Sequence, residues 1–338
     1  MRIIVYGVGA IGGTVAATLA HSGQEVIGLA RGAHLEAIRA GGLVLRTPDN
    51  TARVRFPCFA DPAEIAFQPD DAILLAMKTQ DTLPALERLR AARVAGQPIF
   101  CMQNGVTNER LALRRLPEVH GVTVVMPAAM STPGEVCAFG TPRVGIFDLG
   151  RYPSGSNDHD VRLAQALEAA NIAAFVTSDV MPSKYGKLLM NLNNIVEAAL
   201  GVEADTKRLQ SILRAEAEAV YRAAGIAWRE VGHSDPRRAE LMRHGSVSGV
   251  SRAGSSTTQS LARGAGSVET GYLNGEIVLL GRLHGVPVLA NAYFLDLSAR
   301  MVRDGLKPGM ISSAEIKAGL AAALDAEILD WDQLNAEN

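Results

Sequence analysis

The stretch "RIIVYGVGAIGGTVAATLAHSGQEVIGLA" near the start of the chain restricts the fold more than any other segment. A β-branched run ends at a glycine pattern, Gly7-x-Gly9-x-x-Gly12; a helical pattern follows at once, and a second β-branched run closes the unit. A strand, a glycine turn, a helix and a second strand form a βαβ unit. In it the first glycine permits the tight turn, the second lets a pyrophosphate approach the backbone, and the third allows close helix–strand packing. The helix N-terminus then faces the anion. The residues expected at the phosphates are Gly7, Val8, Gly9, Ala10, Ile11 and Gly12. The alternative, an ordinary glycine turn, does not account for the flanking strand and helix.

At the end of the second strand of such a unit an acidic residue normally receives the ribose 2′-hydroxyl of NAD. Here the chain reads Leu29-Ala30-Arg31-Gly32, with no acid. A guanidinium suits a 2′-phosphate, so Arg31 points to NADP(H); the other reading is an exposed arginine without a role. Lys78, just past the run "DAILLAM", is expected at the carboxyl edge of the sheet as a second cofactor contact or as a solvated lysine. Asn104-Gly105 in "FCMQNGVTN" ends the next strand, where Asn104 meets nicotinamide ribose or substrate, or simply makes a turn.

From residue 2 to about 178, short apolar runs alternate with helical patterns: "RIIVYG", "EVIGLA", "DAILLAM", "PIFCMQ", "VTVVMPA", "RVGIFDL" and "AAFVT". Apolar runs without strict alternation suit strands covered on both faces. Beyond about 180, helical spacing dominates, over 183–200, 208–224, 271–284, 289–303 and 313–325. The fold class is therefore α/β, a Rossmann-type parallel-sheet domain over 1–179 followed by an all-helical domain over 180–338, hinged near Pro182. With 338 residues, two domains are the natural division. A glycine- and serine-rich segment over 245–267 reads as a linker or a binding loop.

The net charge of −2 gives no footprint for nucleic acid or an anionic membrane. No apolar run of about 18 residues occurs, so no membrane span is expected. Cys58, Cys101 and Cys137 lack CxxC spacing, which argues against zinc and disulfides and for the reducing cytoplasm. A small-molecule ligand is the expected partner, and a homodimer is a plausible assembly.

Polarity within the helical pattern 183–200 calls for an explanation. Lys187, Asn191 and Asn194 fall at i, i+4 and i+7, on one stripe at about 100° per residue. Asparagine is a mediocre helix former, so the stripe is either a solvated face or hydrogen-bond seam, or a set of ligand contacts. Glu269 in "VETGYLNG" stands in or just before the first turn of another helix, where capping is the alternative to function.

Taken in order along the chain, the glycine loop with Arg31, "MKTQ" with Lys78, "QNGV" with Asn104, "KLLMN" with Lys187 and Asn191, and "VETGYLNG" with Glu269 resemble the ketopantoate reductase (2-dehydropantoate 2-reductase) family. The resemblance implies an NADPH-binding domain, a helical domain completing a cleft, and reduction of a 2-oxo acid to a 2-hydroxy acid with Lys187 as general acid. It further implies that Asn104 and Asn191 hold substrate, that Lys78 and Arg31 serve the cofactor, and that Glu269 lies where cofactor and substrate meet; Asn194, on the stripe of Lys187 and Asn191, is expected to face the substrate with them. The family's carboxylate-binding serine matches Ser256 after a one-residue insertion. Two departures stand on the substrate side: Ile195 occupies a position where the family has asparagine, and Ser260 replaces an acid. Ile195 is accordingly expected to wall the pocket with apolar surface and to weaken ketopantoate turnover. Lys184, about 60° around the helix from Lys187, is expected to tolerate replacement. A reductase of another 2-oxo acid or a derived imine, and a non-catalytic NADP(H) sensor, are the other readings.

Overall fold

The computed structural model describes residues 1–232, 235–250 and 254–323. The described residues form two compact units, one built from residues 1–187 and 228–252, the other from 188–227 and 253 onward.

The first unit is organised by an eight-stranded sheet in the order Ile172–Val176, Gly145–Arg151, Val119–Val125, Ile99–Cys101, Asp71–Leu75, Arg2–Tyr6, Val26–Leu29, Cys58–Phe59. All neighbours run parallel except Gly145–Arg151 beside Val119–Val125. Ile4 sits in register with Ile27 on one side and Ile73 on the other, and all three are buried. Such strands show no alternation because helices and loops cover both faces. Each buried aliphatic side chain contributes roughly 1.5–3 kcal/mol. At the amino edge the Arg2 guanidinium grips the buried Asp71 carboxylate through two hydrogen bonds of 2.8 and 2.7 Å, which fixes the central strand against its neighbour.

The seven strands expected from the sequence are all present in this sheet. The pair Cys58–Phe59 and a second sheet, in the order Thr51–Val54, Leu43–Arg46, Glu135–Ala138, Ala128–Thr132, were not expected. These strands are short, and Thr51–Val54 is largely exposed, so no apolar run marks them. Residues 228–252 return to the first unit and pair Met242–His244 with Gly140–Pro142.

The second unit is helical. Its helices include Lys207–Ala224, Asn274–His284, Leu289–Arg303 and Ser313–Ala323, close to the expected spans. The single helix expected over 183–200 is instead two, Met181–Asn191 and Asn194–Leu200. Between them the Leu192 carbonyl accepts from the Asn274 side chain at 3.2 Å, and the Asn193 amide donates to Thr206 Oγ1 at 3.1 Å. Side-chain partners of this kind compete with the helical ladder and end it. Among the described residues no helix is long and apolar enough to cross a membrane. Of the glycine- and serine-rich segment, 251–253 lie outside the described residues, and Ser256–Ala262 is a helix rather than a loop. Ser255 caps it, and the Glu197 carboxylate accepts from both the Ser255 amide and Thr258 Oγ1.

Lys184 is not the tolerant position expected of it. Its side chain is 3% exposed, its ammonium pairs with the fully buried Glu109, and it also donates to the carbonyls of Cys101 and Gln103 at 3.2 and 3.1 Å. The lysine faces the sheet and fastens the helix Met181–Asn191 to the end of the strand Ile99–Cys101. Removing one member of a buried pair leaves the other as an uncompensated charge, so Lys184→Met should cost about 3–5 kcal/mol, and adding Glu109→Leu should recover much of it. Thermal melts of the single and double variants test this. A single variant that melts like the parent would show that the pair does not hold the helix.

Candidate active site

The parallel strands Arg2–Tyr6, Val26–Leu29, Asp71–Leu75 and Ile99–Cys101 all end at one edge of the sheet. The residues that follow them, the glycine loop, Arg31, Lys78 and Asn104, therefore gather there. In such sheets ligands bind at the carboxyl edge where the strand order reverses, here around Arg2–Tyr6.

Gly7 has a φ of +103°, and a Cβ on it would lie 2.6 Å from the Met77 amide nitrogen. A Cβ on Gly12 would lie 2.2 Å from the Gly7 carbonyl oxygen. These two glycines are required by backbone packing. Gly9 is different, because a Cβ there meets nothing within 4 Å. Its smallness serves no protein neighbour and instead leaves open space over the loop. The helix Ala10–His21 that begins there has no side-chain cap and no acidic residue in its first turn. The amides of Ala10, Ile11 and Gly12 have no acceptor among the described residues. Val8 is buried in the core, so only its backbone is available to a ligand. An uncapped helix start, open space above Gly9 and tight glycines on either side fit a dinucleotide pyrophosphate.

Arg31 follows the strand Val26–Leu29 in extended conformation. Its side chain is 83% exposed and touches Asp81 at 3.1 Å. An exposed pair of this kind is weak, and a phosphate can displace it. Lys78 precedes a short helical turn, Thr79–Asp81, and is partly exposed. The Asn104 carbonyl accepts from Asn108 Nδ2 at 3.2 Å and Thr79 Oγ1 at 3.5 Å, which fixes its backbone.

Lys187 lies in the same helix as Lys184 and also belongs to the first unit. Among the described residues no carboxylate pairs with it. Burial of the ammonium, reinforced by the like charge of Arg238, pushes its pKa down to about 8. The residue as a whole keeps some solvent exposure, so the group is desolvated yet accessible. Two lysines three residues apart thus have opposite environments, one neutralised by a carboxylate and one left as a readier proton donor.

The remaining expected residues belong to the second unit. Asn191, one turn beyond Lys187 in the helix, is 7% exposed, and its Oδ1 has no hydrogen-bond partner. Ser256 opens the helix Ser256–Ala262, and its buried Oγ also lacks a partner. Buried orphan acceptors and hydroxyls are uncommon in folded proteins and mark positions where a ligand or water belongs. Asn194 starts its own helix, so the uniform stripe expected from Lys187 through Asn194 is not formed. Ile195 is fully buried and presents no apolar wall to open space, which corrects that expectation. The Ser260 hydroxyl donates back to the Ser256 carbonyl at 2.9 Å, within its own helix. Glu269 is buried at the start of the turn Glu269–Tyr272. Residues that sequence reasoning missed are Arg238 and the buried, unpartnered hydroxyls of Thr257 and Thr270. No local pattern distinguishes them from ordinary polar positions.

A family model described as Ketopantoate reductase PanE/ApbA matches residues 3–152, and its C-terminal counterpart matches 179–301. The 2-dehydropantoate 2-reductase of Pyrococcus horikoshii is 27% identical over 288 residues, covering 84% of this chain and 91% of the relative. That of Mesorhizobium japonicum is 31% identical over 258 residues, covering 67% and 77%. The crystal structure of a PanE/ApbA family ketopantoate reductase from Ralstonia eutropha JMP134 superposes with a TM-score of 0.74 at 29% identity, covering 90% of this chain and 99% of that one. With both halves matched, and the glycine loop and the sheet-edge residues in the order that the family requires, the chain belongs to the ketopantoate reductase family of oxidoreductases.

Proposed function

We propose that this protein reduces a 2-oxo acid to the 2-hydroxy acid with NADPH, and that ketopantoate is the substrate. The observation that carries the proposal is Lys187, an ammonium without a carboxylate partner among the described residues and with its pKa pushed down to about 8. The names of the curated relatives support ketopantoate, and Arg31 supports the phosphorylated cofactor.

When bound, the nicotinamide supplies a hydride to the C2 carbonyl carbon. The Lys187 ammonium polarises the ketone oxygen as negative charge develops on it, then delivers a proton from Nζ to give the hydroxyl. The neutral amine regains its proton from water. The loop amides from Ala10 to Gly12 and the Arg31 guanidinium hold the cofactor's phosphates, with Lys78 and Asn104 beside them. Asn191, one turn along the helix that carries Lys187, offers a hydrogen bond without adding charge that would compete with the ammonium.

The direct test is NADPH oxidation across a panel of 2-oxo acids that includes ketopantoate; ketopantoate should give the highest kcat/KM. Turnover with none of them would leave a binding protein rather than a reductase. Lys187→Ala should keep the fold and NADPH binding while turnover falls about 10²–10⁴-fold. Because the proton donor must be charged, wild-type reduction should fall as pH rises through about 8, and oxidation of the hydroxy acid should rise through the same value. A limb displaced to the ordinary lysine range would remove the role given to burial. NADPH should bind at least about tenfold more tightly than NADH, roughly 1.4 kcal/mol, and Arg31→Ala should abolish the difference. Fluorescence titration of both cofactors measures it, and discrimination unchanged in the variant would transfer that role to another residue.

A further inference from the structure

We propose that Asp81 supplies the ribose-facing carboxylate that residues 29–32 lack, so that Arg31 and Asp81 together read the 2′-position of the cofactor: Arg31 receives a 2′-phosphate, and Asp81 accepts from the 2′-hydroxyl of an unphosphorylated dinucleotide. The inference rests on the reading of Arg31 as the residue at the adenosine ribose. In dinucleotide-binding sheets the 2′-position is met at the end of the second strand, by an acid for NAD or by a nearby arginine for NADP. This chain presents both groups there, the arginine from the expected place and the acid from 50 residues farther on.

The topology brings them together. The strands Val26–Leu29 and Asp71–Leu75 flank Arg2–Tyr6 and run parallel to it, so the residues beyond their ends border the glycine loop. Arg31 Nη2 lies 3.1 Å from Asp81 Oδ2, and among the described residues neither group has another ion-pair partner. The side chains are 83% and 36% exposed, which leaves the pair open to a ligand arriving from solvent. Gly32, beside Arg31, has a φ of +60°, and a Cβ on it would meet nothing within 4 Å, so the backbone next to the arginine also faces open space.

Asp81 has no local task that accounts for its carboxylate. It immediately precedes the helix Thr82–Ala91, where an aspartate ordinarily caps, yet its side chain accepts no helix amide. The reason is the turn Thr79–Asp81, which runs straight into the helix: Asp81 lies at φ −91° and ψ −7°, in the helical region rather than the extended one that capping uses. Its own amide donates to the Lys78 carbonyl at 2.9 Å, which fixes the backbone of the turn. The acids that follow the edge strand Cys58–Phe59 differ. Asp61 accepts from the Ala63 amide, and Glu64 from the amides of Ala60 and Asp61, so both serve their own turn. A carboxylate that faces a guanidinium acts on a ligand in two ways. It accepts from a hydroxyl, and it competes with a phosphate for the cation while repelling it.

The test titrates NADPH and NADH into full-length wild type, Asp81→Ala, Asp81→Asn and Arg31→Ala, with each Kd read by fluorescence. In Asp81→Ala, NADPH should bind about 2- to 5-fold more tightly, the span of an exposed ion pair removed from competition. NADH should bind about 3- to 10-fold more weakly, the span for a hydroxyl that loses a charged acceptor at a partly exposed site. Asp81→Asn should move both values in the same directions, with a smaller loss for NADH because an amide oxygen remains. Simple removal of a negative charge would tighten both cofactors, so weaker NADH binding is the result that a purely electrostatic role does not give. NADH binding unchanged or tighter in both Asp81 variants would overturn the assignment, and loss of the NADPH preference in Arg31→Ala would then leave the Arg31 reading intact. A preference that persists in Arg31→Ala, or a wild type that binds neither cofactor, would overturn both.

Discussion

The buried pair of Lys184 and Glu109 is the contact on which the carboxyl edge of the sheet in the first unit depends. Neither side chain has appreciable access to water, and the lysine also donates to the carbonyls of Cys101, the last residue of the strand Ile99–Cys101, and of Gln103 just beyond it. Desolvating two charges is expensive, and a well-packed apolar pair would often serve stability as well. The ion pair adds a defined position. Its hydrogen bonds fix the rotation of the helix Met181–Asn191 against the end of a particular strand, and thereby the place of Lys187 three residues on. Gly121 contributes on the sheet side, because a Cβ there would stand 2.9 Å from Val180 and 3.5 Å from the stem of Lys184.

With the helix set in this way, the chemistry of its two lysines is decided by their surroundings. Lys184 is held by a carboxylate and has a structural role. Lys187 meets burial and the repulsion of Arg238 in place of a counter-ion, and its pKa falls to about 8. A proton donor working near neutral pH gains from such a value, since it remains charged in the resting state and gives up its proton readily. The same logic covers the glycine loop. Gly7 and Gly12 are dictated by the backbone they pack against, whereas Gly9 faces open space where an anion can approach the helix start.

The segment over residues 228–252 gives the first unit a part that chain order alone would assign to the helical half. Arg229 and Arg237 converge on Asp148, and Met242–His244 pairs with Gly140–Pro142. Three kinds of contact, an ion pair, a strand pair and a backbone bond to Pro182, hold it on the sheet and the helix.

The sequence by itself determined the α/β order, the phosphate loop and the sheet-edge positions of Arg31, Lys78 and Asn104. Those features are local, since each depends on a short run whose period or glycine spacing has one mechanical meaning. It also singled out Lys187 and Asn191, because polar residues at helical spacing carry a cost that asks for a reason. Tertiary structure decided the rest. The helical pattern over 183–200 gave no warning of its interruption, which comes from Asn274 taking the Leu192 carbonyl from 82 residues away. Spacing set Lys184 about 60° off the stripe of Lys187 but gave it no role of its own; only Glu109, 75 residues earlier, makes it structural. Ile195 read as a pocket wall by its number along an ideal helix and proved to be fully buried. Charge and burial act through space, so the partner that fixes a residue's role leaves no mark in the sequence around it.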